Sequence, residues 1–429
     1  MKSIIQPVKG TRDFYPEQMA IRTWLYNTAR SVAESFGYQE YEAPILESLE
    51  LYAAKSGEEL VKEQSYVFKD RGGSEIALRP ELTPSLARMI AQRQEQLSFP
   101  VRWWSFGPFW RYERPQKGRT REFFQWNVDM LGADAPEADA ENVAVLATLF
   151  RRVGLRPEQI LILVNNRKLT AACFDALGIS DNLRQAALSW IDRKEKIAPD
   201  AWLEFGKEIG LSDPQITKLK AMLEDKDLWK QSDELRRFFA AAEALGISEY
   251  VQFGPSVVRG LLYYTGTVFE AWEVGGDIRR SVLGGGRYDN LLADVGGAPL
   301  PAVGFAMGDV VITLLLEKYG LLPTTLSAYP ASVLVTVFDQ ERLLASYRIG
   351  ADLRRAGIPT AVYPEPAKLP RQFKYADKVG ARLALVLGPD EAASNQVTVK
   401  DLSTGNQQTV GQAEVVQVVR GILESQPGR

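Results

Sequence analysis

Residues 109–132 read "FWRYERPQKGRTREFFQWNVDMLG". From Pro100 to Gly132 the pattern is two runs rich in Trp, Phe and Val, separated by a loop carrying Arg111, Arg114, Lys117, Arg119 and Arg121. Such runs around a turn-forming, charged middle predict an antiparallel hairpin with a long, projecting connection. Side chains along a strand alternate between faces, so Gln125, Asn127 and Asp129 share one face while Phe124, Trp126, Val128 and Met130 share the other. Arg111 and Glu113 are expected to line the same polar face from the partner strand. For that face two readings stand side by side: a solvated sheet surface, or the lining of a site. The loop likewise reads either as a solvated hairpin tip or as a grip on a phosphate backbone and base edges at a nucleic-acid end.

Two further segments favour a site. "ALRPELTPSLAR" (77–88) sets Arg79 and Glu81 around Pro80 and close to Thr83, and "VVRGLLYYTGTVFE" (257–270) sets Arg259 ahead of Tyr263 and Tyr264. Arginine presents a fixed fork to carboxylate and phosphate, and carboxylates receive an ammonium group. An amino acid together with a polyphosphate is therefore a reasonable ligand pair. The run "SVLGGGRYDNLL" (281–292) fits neither the Walker pattern nor the dinucleotide fingerprint. Gly284, Gly285 and Gly286 read instead as places where the backbone passes close to a neighbour, with Tyr288 able to reach a pocket.

Working outward, 429 residues suggest about three domains. A hydrophobic fraction of 45% and a charged fraction of 24% are ordinary for a soluble globular chain. The formal net charge is −3, so the dense cationic loop reflects local clustering and not an overall basic protein. One cysteine, Cys173, excludes an intramolecular disulfide and a multi-cysteine zinc site; the absence of histidine removes the commonest metal ligand and general base. The opening "MKSIIQPVKG" has no apolar leader and no apolar run approaches the ~18 residues of a membrane span, so the chain reads as cytoplasmic with no membrane partner.

"EQMAIRTWLYNTARSVAESFG" (17–37) predicts an amphipathic helix stopped at Gly37. Residues 155–250 are mostly helical in pattern and read as an inserted helical module. Strand patterns return at "GTVFEAWEV" and "IRRSVLGGG", and "LLPTTLSAYPAS" (321–332) has linker composition. Beyond it, strand and helix patterns alternate from "SVLVTVF" to "RLALVLG", which predicts a small α/β domain with a largely parallel sheet.

In this order along the chain, "KGTRDFYPEQ" (9–18) with "GYQEYEAPILE" (37–47), the hairpin stretch, "VVRGLLYYTGTVFE", "GGGRYDNLL" and "PAVGFAMGDVV" (301–311) resemble the histidyl-tRNA synthetase family of class II aminoacyl-tRNA synthetases. They correspond to motif 1 with its interface proline at Pro44, motif 2, two histidyl-specific motifs and motif 3. The resemblance implies an α+β catalytic core with an antiparallel sheet in residues 1–154 and 251–322, a helical insertion at 155–250, and a C-terminal α/β anticodon-binding domain at 330–429. It implies ATP-dependent attachment of L-histidine to tRNA(His) through a histidyl-adenylate, with Mg²⁺ and a homodimer. Glu81, Thr83 and Gln125 would hold the α-amino group. Arg259 and Arg111 would be the catalytic cations at the carboxylate and α-phosphate. Glu113 and Phe123 would face the adenine. Asp129, Tyr263, Tyr264 and Tyr288 would line the histidine site, and Gln116, Arg119 and Arg121 would approach the tRNA acceptor end. Leu262, Asp129 and Val311 depart from the family's Asp, Glu and motif 3 Arg. A second resemblance, to the regulatory subunit of ATP phosphoribosyltransferase, implies a catalytically silent paralogue; a synthetase for another amino acid is the third reading.

Overall fold

The computed structural model describes residues 4–53, 63–194, 196–258, 263–278, 280–324, 326 and 328–425. The chain divides into two compact units, residues 1–13 with 24–322, and residues 14–23 with 323–429.

An eight-stranded sheet forms the first unit, in the order Gln39–Glu40, Val101–Trp110, Glu122–Leu131, Ala302–Gly308, Leu283–Arg287, Thr267–Glu273, Ile160–Asn166, Val251–Phe253. The six central strands pair antiparallel, as the sequence predicts, but each outermost pair is parallel, so the sheet is mixed. The central hairpin pairs residue for residue from Val101↔Leu131 to Trp110↔Glu122. Its apolar face is the core: Trp126 and Val128 are fully buried and pack with Trp104 against the helix Pro136–Arg152, which contributes Val143, Leu146 and Phe150. Burial of each such side chain contributes roughly 1.5–3 kcal/mol.

The glycine run forms the interior of a strand. A Cβ at Gly285 would run into the Gly304 carbonyl and, at 2.7 Å, the Phe269 ring; one at Gly286 would stand 2.7 Å from the Thr267 carbonyl and 2.9 Å from the Tyr264 ring. Close approach is thus the reason for these glycines. Arg287, next in the strand, is buried and forks onto Asp139, with Nη2–Oδ1 at 2.6 Å and Nε–Oδ2 at 3.2 Å. It ties the strand to the first turn of the helix Pro136–Arg152.

Residues 155–250 differ in one respect from an all-helical insertion. Ile160–Asn166 is a strand of the main sheet, paired with Thr267–Glu273. Its apolar run "ILILV", followed by Asn165 and Asn166, is short, a pattern that does not separate a buried strand from a buried helix. Helices Asp181–Asp192, Pro199–Glu208 and Asp213–Glu224 share a core of their own around Trp190 and Trp202, stacked at 4.1 Å. The helix Asp233–Ala244 instead buries Leu235, Phe238 and Ala242 in the main core.

In the second unit, strands Thr360–Val362, Val333–Val335 and Leu383–Val386 are parallel neighbours. Gln396–Asp401 and Gln407–Gly411 extend that sheet as an antiparallel hairpin beyond the predicted alternation.

Gly285→Ala is expected to destabilise the protein by about 1–3 kcal/mol, because a backbone carbonyl and a packed ring cannot yield to the added methyl. Urea unfolding, read as a lower midpoint at unchanged slope, measures this.

Candidate active site

The polar face of the hairpin is the floor of a cavity of about 640 Å³. Gln125, Asn127 and Asp129 stand in a row on it, opposite Gly308, Ala306 and Gly304 of the adjacent strand. A strand of small residues beside a strand of hydrogen-bonding ones leaves open volume above the sheet. The alternation expected from the sequence is present, and its polar members line a cavity.

Glu81 and Thr83 enter from the start of the helix Thr83–Arg93. Glu81 is buried and accepts a hydrogen bond from the Tyr263 hydroxyl at 3.3 Å. Tyr263, Tyr264 and Tyr288 form an aromatic cluster on the cavity wall, with Tyr263 lying 4.9 Å from Tyr264 and 5.9 Å from Tyr288. The Tyr288 hydroxyl donates to Asp129 Oδ1 at 2.6 Å. Burial pushes the Asp129 carboxyl up to about 7, although the Tyr288 bond pulls the other way. Tyr288 itself is pushed well above its ordinary range, by burial and then by the neighbouring Asp129 charge.

Arg111 and Glu113 line the cavity from a different place than expected, because the strand ends at Trp110 and both lie in the segment that follows. Arg111 donates Nε to the Pro80 carbonyl at 2.9 Å and stands 5.3 Å over the Phe123 ring, which also lines the cavity. Glu113 is buried and ion-paired with Arg119. Gln116 and Arg119 close the loop tip through an antiparallel bridge, and both are exposed. Arg119 reaches the cavity lining; Gln116 and Arg121 do not belong to it. Arg121 is engaged inside the protein, donating Nε to the Glu113 carbonyl at 3.2 Å with its guanidinium 4.1 Å over Tyr112. Arg79 is likewise a structural cation. Fully buried, it pairs with Glu42 at 2.5 Å and donates to the Pro108 and Ala43 carbonyls, so it supports the wall above Gly107. Arg259 and Leu262 lie outside the described residues.

Other lining residues carried no sequence signal of a role. Glu270, Trp272, Arg280 and Ser281 belong to the lining, as do Asp192 and Lys196 from the helical segment. Val311 lines the cavity from the helix Asp309–Lys318. The preceding Asp309 accepts from the Phe124 backbone N–H at 2.9 Å and pairs with Arg12 at 2.8 Å, locking that helix to the hairpin. The described residues contain no group of three His, Cys, Asp or Glu side chains able to hold a metal ion.

A solved structure of histidyl-tRNA synthetase from Nostoc sp. PCC 7120 superposes with a TM-score of 0.82 at 27% identity, covering 98% of this chain and 99% of that one. The fold is thus that of a class II aminoacyl-tRNA synthetase. Residues 10–309 match the family described as Histidyl-tRNA synthetase, and residues 332–422 the family described as Anticodon binding domain. The chain belongs to the histidyl-tRNA synthetase family. Among curated relatives, a histidine–tRNA ligase of Opitutus terrae is 37% identical over 98% of this chain and 99% of its own length. A chloroplastic/mitochondrial histidine–tRNA ligase of Arabidopsis thaliana is 39% identical over 94% of this chain and 84% of its own. A structure titled as an ATP phosphoribosyltransferase regulatory subunit/histidyl-tRNA synthetase, from Bacillus halodurans C, has a TM-score of 0.71 at 22% identity, a likeness of fold alone.

Asp129 gives a pH signature. The folded chain keeps its proton to about pH 7 while the unfolded chain releases it near 3.8, so stability falls as pH rises through this window and the full penalty stands above it. Asp129→Asn keeps the acceptor for Tyr288 and removes the charge. It is expected to stabilise the protein at pH 8 by up to a few kcal/mol and to leave it unchanged near pH 4, measured by urea unfolding at both values.

Proposed function

We propose that the chain attaches L-histidine to tRNA(His) in two steps. The histidine carboxylate attacks the α-phosphate of ATP, forming histidyl-adenylate and releasing pyrophosphate; a terminal ribose hydroxyl of the tRNA then takes the histidyl group and AMP leaves. The observation that carries this reading is the single cavity in which Glu81, Gln125 and Asp129 face Arg111 and Phe123. Its lining supplies carboxylate, amide and phenol groups for an amino acid, and a cation and an aromatic ring for a nucleotide.

In this reading Glu81, Thr83 and Gln125 receive the α-amino group. Asp129, with Tyr263, Tyr264 and Tyr288, recognises the imidazole. Arg111 and Arg259 stabilise charge developing on the phosphoryl oxygens, which needs fixed cations and no protein base. A chain without histidine can therefore perform it. Glu113 and Phe123 take the adenine. Gln116 and Arg119, exposed at the loop tip, meet the acceptor end; Arg121 shapes the loop that presents them. Mg²⁺ is assigned to ATP as a companion of its phosphates, since the described residues hold no acidic cluster for it, and no step is derived through it.

The domain assignment keeps residues 1–154 and 251–322 as catalytic core and 330–429 as the anticodon-binding domain, in accord with the match at 332–422. It moves the start of the helical insertion past the strand Ile160–Asn166. That C-terminal match also disfavours the silent regulatory paralogue, which resembles the catalytic core without such a domain. A cytoplasmic setting suits an enzyme that consumes ATP and tRNA, and no helix among the described residues is long and apolar enough to cross a membrane. A homodimer through the motif 1 region is supported by Ile45, Leu46, Val67 and Phe68, apolar residues exposed on or beside the small sheet Leu46–Ser48, Glu75–Leu78 and Tyr66–Lys69. Twofold closure is the commonest way to cover such a face.

Histidine-dependent exchange of pyrophosphate into ATP tests the activity, and folded protein without exchange at millimolar ATP would remove this reading. Asp129→Ala is expected to raise the KM for histidine far more than that for ATP, because it strips a buried polar partner from one substrate and not the other; equal rises would make Asp129 structural. Light scattering at micromolar protein should give twice the 47.8 kDa chain mass. A monomer there would contradict the dimer.

A further inference from the structure

Val310 and Val311 turn the first residues of the helix Asp309–Lys318 into an uncharged stretch of cavity wall. Arg280 lies beside it. Gly118, at the tip of the cationic loop with φ +79°, marks the meeting point: a Cβ there would stand 3.6 Å from Arg280 Cδ and 3.8 Å from Val311 Cγ2. The aliphatic stem of Arg280 and the Val311 methyl thus lie near one spot of the loop. Both residues line the same cavity.

The other arginines near this cavity are spoken for in ways that Arg280 is not. Arg79 and Arg287 are buried against carboxylates, Arg119 is paired with Glu113, and Arg121 donates to backbone carbonyls. Arg280 is half-buried, and its guanidinium has no hydrogen-bond or ion-pair partner among the described residues. A stem packed on protein with an uncommitted planar cation at a polar cavity wall is preorganised for a phosphate oxygen or a ring face.

We propose that Arg280 is a nucleotide-binding residue, the cation that grips ATP along the wall where Val311 provides none. This rests on reading the cavity as the site of adenylate formation. In that geometry Arg111 and Arg280 approach the nucleotide from different elements, Arg111 from the segment after the Val101–Trp110 strand and Arg280 from the segment before the Leu283–Arg287 strand. The nearness of the Arg280 stem to Gly118 also brings nucleotide binding close to the loop assigned to the tRNA end.

The test uses the full chain with MgATP and L-histidine. Arg280→Ala is expected to raise the KM for ATP in pyrophosphate exchange about tenfold, with the KM for histidine within about twofold of wild type. Arg280→Gln, which preserves length and removes charge, should match it. ATP alone, in a thermal-shift titration without turnover, should protect both variants at about tenfold higher concentration than wild type. An ATP dependence within about twofold of wild type in both assays overturns the assignment, as does a loss in Arg280→Ala that Arg280→Gln does not reproduce, or an equal rise in both KM values. A wild-type chain that binds ATP but shows no exchange would remove the proposed activity, and the thermal shift would then decide Arg280 by itself.

Discussion

A strand cannot hide both of its faces and display them too, and the Glu122–Leu131 strand resolves that constraint for the whole first unit. Trp126, Val128 and Met130 go down into the core; Gln125, Asn127 and Asp129 go up into the cavity. The neighbouring strand must then be small where the polar row needs space, and Gly304, Ala306 and Gly308 satisfy this. Other parts are set by the same line: Asp309 anchors the next helix to the Phe124 amide, and Tyr288 hangs over Asp129. A one-residue slip in this pairing would exchange core for cavity along the entire strand.

Charge is sorted by depth. Arg79 and Arg287 lie in the interior, each matched to a carboxylate, and hold walls and helices in place. Arg111 touches both the Pro80 carbonyl and the Phe123 ring, at the boundary between scaffold and cavity. The loop cations Arg114, Lys117 and Arg119 stand furthest out. This gradient explains how a chain of net charge −3 presents a concentrated positive region at one loop. Among the cavity residues, Asp129 is the group brought near neutral pH, a range that histidine occupies in most proteins and that no side chain here occupies by default.

What the sequence revealed followed from period and order. The two-residue alternation of the hairpin exposed both its core and its polar row, and the ordered motifs brought Glu81, Tyr263, Tyr264 and Tyr288 to the same cavity although they are far apart in the chain. What it concealed depended on tertiary detail. Nothing local distinguishes Arg79 or Arg121, which are engaged internally, from Arg280, which is not. The end of the strand at Trp110 leaves Arg111 with a last backbone bond to Arg121 and moves Glu113 off the ladder, and composition does not mark that point. The strand Ile160–Asn166 was hidden because a buried strand and a buried helix look alike over seven apolar-rich residues. The roles of these side chains, unlike their positions, came from the family resemblance.

The pairing of Asp129 with Gly304 has a consequence for how this protein can change. The two residues face each other across adjacent strands, and a Cβ at position 304 would collide with the Asp129 carboxylate. Position 304 cannot gain bulk alone, because alanine there displaces the acid. Substitutions here are admitted in pairs and in order, the acid shortening or leaving before the glycine grows. Mutational scanning would thus find two positions, distant in sequence and unlike in chemistry, that behave as a single heritable character.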